Sequence, residues 1–124
     1  KDIFVAREFS TTTESITVAA TATGADSTVL YTCPANHEAD IGLLLLSNNN
    51  AGAKKVYLQY YHADNTTYYY VLKAYSIAAN SSYSVIDSST LHIHAGDKIT
   101  LYGETTNTIQ ATASIKEYFN PNRP

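Results

Sequence analysis

Ile109-Gln110-Ala111-Thr112-Ala113-Ser114-Ile115-Lys116 alternates apolar and polar side chains without a break. Successive side chains on a strand point to opposite faces, so Ile109, Ala111, Ala113 and Ile115 share a buried face and the others a solvated one. A helix would spread the same residues around its axis. Val56, Leu58 and Tyr60 alternate in the same way, as do Ile99 and Leu101. Working outward from these segments, short apolar stretches recur between turn signals from Ser27 onward, with strands expected at about 28–33, 39–47, 54–62, 67–74, 82–87, 90–94, 97–103 and 108–118. That spacing predicts an all-β, antiparallel β-sandwich of about eight strands. Periodicity does not order the strands, so jelly-roll and immunoglobulin-like topologies both stay open.

The punctuation is chemically explicit. Pro34-Ala35-Asn36, Asn48-Asn49-Asn50-Ala51-Gly52, Asp64-Asn65, Asn80-Ser81-Ser82 and Ala95-Gly96-Asp97 each offer tolerance of positive φ or side-chain hydrogen bonds to their own backbone. Leu43-Leu44-Leu45-Leu46 lacks alternation and reads either as a strand buried on both faces or as a helical turn, its short length and its Gly42 and Asn48 boundaries favouring strand. Residues 1–26 read differently, as an N-terminal extended arm with at most one strand, and 27–124 as a single sandwich domain. No internal repeat or low-complexity linker suggests a second domain.

Composition excludes several function classes. Eight Lys plus Arg and a net charge of −3 do not supply the basic footprint that phosphate backbones need, so no nucleic-acid partner is expected. The longest apolar run, Ile41 to Leu46, is far short of a bilayer span, and no membrane partner is expected either. Charged residues make up 15% of the chain against about 25% in an average domain, so Ser, Thr, Asn and eleven tyrosines supply the polar surface. The single cysteine, Cys33, excludes an internal disulfide and reads as a small buried side chain.

Chemistry-bearing constellations are sparse. His92 and His94 fall on one strand face and could share a metal with His62 or Asp97 as a third ligand. Solvent-facing histidines alternating with core Leu91 and Ile93 explain the same spacing more simply, and His37-Glu38 beside Asp40 reads as a polar loop after a proline. No metal and no cofactor are expected. Serines, histidines and aspartates are present without an organised nucleophile, base and orienting group, no Gly-x-Ser-x-Gly elbow occurs, and no glycine-rich phosphate loop exists. The expectation is a protein without catalytic activity.

The features left over point to binding. Tyr57, Tyr60, Tyr61, Tyr68, Tyr69 and Tyr70 crowd two consecutive strands, and alternation forces rings from Tyr60-Tyr61 and Tyr68-Tyr69-Tyr70 outside as well as inside. Exposed tyrosines suit protein interfaces and can stack on sugars, while cross-strand pairing alone would also account for them. Ile3, Phe4, Val5 and Phe9 are too apolar for a solvated tail and need a cover, on their own domain or a neighbouring subunit; Tyr118 and Phe119 pose the same question. The candidate partner interface is therefore Ile3, Phe4, Val5, Phe9, Tyr57, Tyr61, Tyr68, Tyr69, Tyr70, Tyr118 and Phe119. The sequons Asn65-Thr66-Thr67 and Asn80-Ser81-Ser82 matter only in a eukaryotic secretory setting.

Val29-Leu30-Tyr31-Thr32 before Pro34-Ala35, the segment from Ile41 to Ser47-Asn48, Ile77-Ala78-Ala79-Asn80-Ser81-Ser82 and Leu91-His92-Ile93-His94-Ala95-Gly96-Asp97-Lys98-Ile99 are together similar to the small β-sandwich structural proteins of tailed bacteriophage particles. The motifs are loose. The chain has Pro34-Ala35-Asn36 where such proteins commonly have Pro-Ala-Gly, and Ile77-Ala78-Ala79 where they often have Ile-Pro-Ala. The resemblance implies a virion part without chemistry, assembled in the host cytoplasm and present in many copies. Capsid decoration, or cement, is the favoured role, with the major capsid protein or other virion proteins as partners and a homo-oligomer such as a trimer. A tail, neck or fibre component and a carbohydrate- or receptor-binding module are the alternatives.

Overall fold

A computed structural model describes residues 9–18 and 27–121, of which Phe9 is described by its backbone alone. Among them the strands are β1 (Phe9–Thr17), β2 (Thr28–Thr32), β3 (His37–Asn48), β4 (Lys54–His62), β5 (Thr67–Ile77), β6 (Ser82–Ile86), β7 (Leu91–His94), β8 (Lys98–Gly103) and β9 (Ile109–Phe119). They pair antiparallel in two sheets, one ordered β1-β9-β3-β6 with β7 also on β3, the other β2-β8-β4-β5. The fold is an all-β sandwich. No helix among the described residues is long and apolar enough to cross a membrane.

The order resolves the topology. β7 pairs with residues 38–41 of β3 and β6 with residues 44–47, so the two short strands occupy one edge position as halves of a broken strand. The chain then crosses between sheets at β1 to β2, β2 to β3, β3 to β4, β5 to β6, β7 to β8 and β8 to β9. Two four-position sheets traversed in this sequence make a jelly roll, not an immunoglobulin-like sandwich. β1 falls within the region read as an arm and pairs with β9 along its whole length, from Phe9 opposite Tyr118 to Thr17 opposite Gln110.

Alternation builds the core. Ile109, Ala111, Ala113 and Ile115 are fully buried on the inner face of β9, opposite Val56, Leu58, Ile99 and Leu101 from the other sheet. The leucine run is the strand that its length and boundaries favour, but it is buried on one face rather than two, for a definable reason. Ala39 and Ile41 point inward before Gly42, Leu44 and Leu46 after it, and the register against β9 slips between Ile41 and Leu43. A bulge adds one residue and so inverts which parity faces the core. Leu43 is consequently 37% exposed, and β3 is not buried on both faces. His37-Glu38, expected in a loop ahead of the strand at 39–47, belong to β3 together with Asp40, because that strand extends to pair with β7 and β9 at once.

Turn chemistry holds the crossings. Asn36 and Asn80 adopt positive φ of 62° and 52°, and Gly96 adopts 87° with Ala63 Cβ only 3.0 Å from where its own Cβ would stand. At Asp64-Asn65 the left-handed residue is Thr66 rather than asparagine. The Asn48 to Gly52 turn is organised from inside. Asn48 is 1% exposed, its amide donates to the carbonyls of Gly52, Ile77 and Ala78, and its Oδ1 accepts from Asn50 N.

Candidate functional site

The outer face of the β2-β8-β4-β5 sheet carries Tyr57, Tyr61, Tyr68, Tyr70 and Tyr102. On β4 the even-numbered Val56, Leu58 and Tyr60 face the core, so Tyr57, Gln59 and Tyr61 face out, opposite Tyr102, Thr100 and Lys98 of β8. Tyr57 and Tyr102 stack with ring centroids 4.4 Å apart and 6° between planes, and the hydroxyls of Tyr70 and Tyr102 share a 2.5 Å hydrogen bond. Beside them Tyr61 packs on Tyr68, with the Lys98 ammonium 5.0 Å from the Tyr61 ring. Gln59 and Thr100 are buried beneath this layer although they point away from the core. The result is an aromatic platform rigidified by ring contacts, with the Lys98 and Lys73 ammonium groups over the Tyr61 and Tyr70 rings.

β5 forms the free edge of the platform. Its register against β4 slips twice, between Val56 and Leu58 and between Leu58 and Gln59, and Ala74 sits at φ 53°. The bulges break the ladder of edge N–H and C=O groups, which blunts strand-to-strand pairing. Side chains remain on offer: Tyr69, Tyr70, Val71 and Tyr75 are 47%, 43%, 46% and 37% exposed. Of the candidate interface residues, Tyr57, Tyr61 and Tyr68 are half-buried in the platform, Tyr70 is exposed although its hydroxyl meets Tyr102, and Tyr69 is exposed with its ring edge-on to His62. Tyr118 lies half-buried on β9 and Phe119, 47% exposed, meets the His37 ring edge-on. Ile3, Phe4, Val5 and the Phe9 side chain lie outside the described residues.

A second cluster sits on the outer face of the other sheet. His92 and His94 point outward from β7 while Ile93 is fully buried, as the alternation argument requires. His92 Nδ1 lies 2.6 Å from Asp40 Oδ1 and Nε2 2.5 Å from Glu38 Oε1. Partial burial pulls the His92 pKa down, but the hydrogen bonds its ring makes to Asp40 and Glu38 and their charges outweigh it and hold the imidazole above its ordinary value. Asn120 Nδ2 donates to the other Glu38 oxygen. The third ligands anticipated for a histidine site do not join. Asp97 accepts from Tyr60 Oη and Ala63 N and comes no nearer than 4.0 Å to His94 Nδ1, and His62 packs between Tyr60 and Tyr69. Glu38 takes that place.

No family model matches the chain, and no curated protein matches it in sequence. Among solved structures, a chain from the pili described under "Bacillus endospore appendages form a novel family of disulfide-linked pili" matches with a TM-score of 0.52 and 14% identity, covering 97% of this chain and 99% of that one. A chain of the extra small virus particle of the giant freshwater prawn Macrobrachium rosenbergii matches with a TM-score of 0.38 and 15% identity, over 95% of this chain and 82% of that one. The first of these establishes a shared fold.

Cys33 is 1% exposed, its Sγ bonds only weakly to His37 O at 3.4 Å, and burial pushes its thiol up to about 11, away from the thiolate a nucleophile needs. Sequence reasoning missed Tyr102, Val71 and Tyr75. Tyr102 was within reach, since it alternates with core Leu101, whereas Val71 is exposed where the register slips between Leu72 and Tyr70, and Tyr75 is exposed on the edge strand, neither with a local signature.

Proposed function

We propose that this chain is a non-catalytic structural subunit that assembles in many copies, docking through the tyrosine-rich edge of its second sheet. The observation that carries the reading is the exposed run Tyr69-Tyr70-Val71 with Tyr75 on β5, backed by a platform too rigid to fold over and cover it. Large exposed aromatic and aliphatic groups on a preorganised surface lose little entropy on docking and bury much apolar area. The pilus subunit from endospore appendages, which shares the fold along almost the whole chain, supports a repeating assembly. Cys33, the one cysteine of these residues, is buried and does not offer itself to another folded copy.

In its finer form the reading is a capsid decoration protein of a phage particle, bound to the major capsid protein and to its own copies. Cryo-electron microscopy of particles then shows the protein in symmetry-related clusters on the shell; confinement to a tail, neck or fibre, or to a pilus-like filament, rejects decoration while keeping the structural role. For the assembly itself, negative-stain microscopy of the purified protein is expected to show oligomers that Val71→Lys removes with the circular dichroism spectrum unchanged. One observation favours a carbohydrate-binding module instead. Tyr69 is exposed with the Asn65 amide donating to its hydroxyl at 3.1 Å, an aromatic face flanked by a polar side chain. Glycan-array binding lost in Tyr69→Ala would establish that function.

A further inference from the structure

Against the expectation of no metal, we propose that Glu38, His92 and His94 form a binding site for a first-row transition dication, with zinc as the fitting ion. One ligand atom from each residue lies within 4.8 Å of the other two, on the outer face where β3 and β7 pair with Glu38 directly opposite His94. Zinc bonds of about 2.1 Å to nitrogen and oxygen in a tetrahedral array place ligand atoms about 3.4 Å apart, a spacing these side chains reach by small rotamer adjustments. Two imidazoles and one carboxylate are the ligand types such an ion takes when a fourth position is left to water, the ion displacing the proton between His92 Nε2 and Glu38.

The surroundings complete the argument. A zinc-bound histidine normally donates its other ring N–H to a carboxylate, which fixes tautomer and orientation. His92 has that partner: Nδ1 faces Asp40 Oδ1 at 2.6 Å, which leaves Nε2 as the coordinating nitrogen, already directed at the Glu38 carboxylate. Asn120 holds the second oxygen of Glu38, so the carboxylate is oriented as well. Glu38 is 9% exposed, and its backbone position is set on both sides by β7 and β9. Lys116 stands opposite Asp40 on β9 and Tyr118 opposite Glu38, so the cluster's facing charges are one lysine against two carboxylates. The His92 and His94 side chains are 38% and 44% exposed, which opens the fourth position to solvent and gives the ion a route in. The bound ion would join the middle strand β3 to the half-strand β7, held otherwise by a short ladder.

The test is zinc titration of the full chain by calorimetry and by thermal unfolding, with cobalt absorption as a coordination signature. One zinc per chain and a raised Tm are expected. His94→Ala, which removes a ligand whose only close carboxylate is 4.0 Å away, should keep the native circular dichroism and lose binding, and His62→Ala should bind as the wild type does. Asp40→Asn is expected to retain one zinc per chain at about 10- to 100-fold weaker affinity. Absence of stoichiometric zinc binding by the wild type, or undiminished binding by His94→Ala, would overturn the assignment.

Discussion

Asn48 shows how one polar side chain governs a crossing. Its amide and carbonyl serve four backbone groups of the loops following β3 and β5, in a place from which water is excluded. Asn48→Ala leaves those groups unpaired and is expected to lower stability by about 3 kcal/mol in urea unfolding. Two tyrosines predict a pH effect. Tyr31 donates to Glu117 and Tyr60 to Asp97, each at 2.6 Å, and burial first, then the acceptor carboxylate, raises both above the ordinary 10.0. Unfolding frees them to ionise, so their contribution is complete below about pH 10 and is lost as pH rises from there toward the folded values. An absorbance titration should therefore show Tyr31→Phe and Tyr60→Phe each removing one late-ionising group, with stability falling above pH 10. At this scale the sequence was a partial guide. Asn36 and Asn80 were legible as left-handed turn residues, whereas the role of Asn48 depends on carbonyls 29 and 30 residues away.

At the scale of the strand, the bulge at Gly42 makes a sharp prediction about two adjacent leucines. Leu44 is fully buried and Leu43 is 37% exposed, so Leu44→Ala should cost about 3 kcal/mol through lost burial and a residual cavity, and Leu43→Ala less than about 1 kcal/mol. Chemical denaturation of the two variants side by side checks the phase of the strand; equal losses would mean the bulge is misplaced. Strands such as β9 and β4 were legible because one face is apolar and the other polar. β3 was ambiguous because the bulge inverts the inward parity partway along it, from Ala39 and Ile41 to Leu44 and Leu46, so no single alternation runs through the strand. The histidine cluster was half legible for a related reason. Alternation puts His92 and His94 on one face, but Glu38 arrives from a strand 54 residues earlier through a pairing that no local pattern announces.

The whole molecule is a jelly roll with two unlike outer faces, one an aromatic platform ending in the exposed edge of β5, the other bearing the histidine–carboxylate cluster. Fold class followed from alternation and turns alone, while the order of strands did not, since sheet crossing is decided by which faces complement one another across the core. Solvent exposure of Tyr69, Tyr70 and Val71 on an edge unsuited to strand pairing supports the proposed docking of side chains between copies. Sedimentation velocity across a wide range of protein concentration tests it most directly. Wild-type protein should shift to discrete oligomers as concentration rises while the Tyr70→Ser, Val71→Lys double variant stays monomeric; a wild type that remains monomeric throughout, or a double variant that assembles equally well, would contradict it.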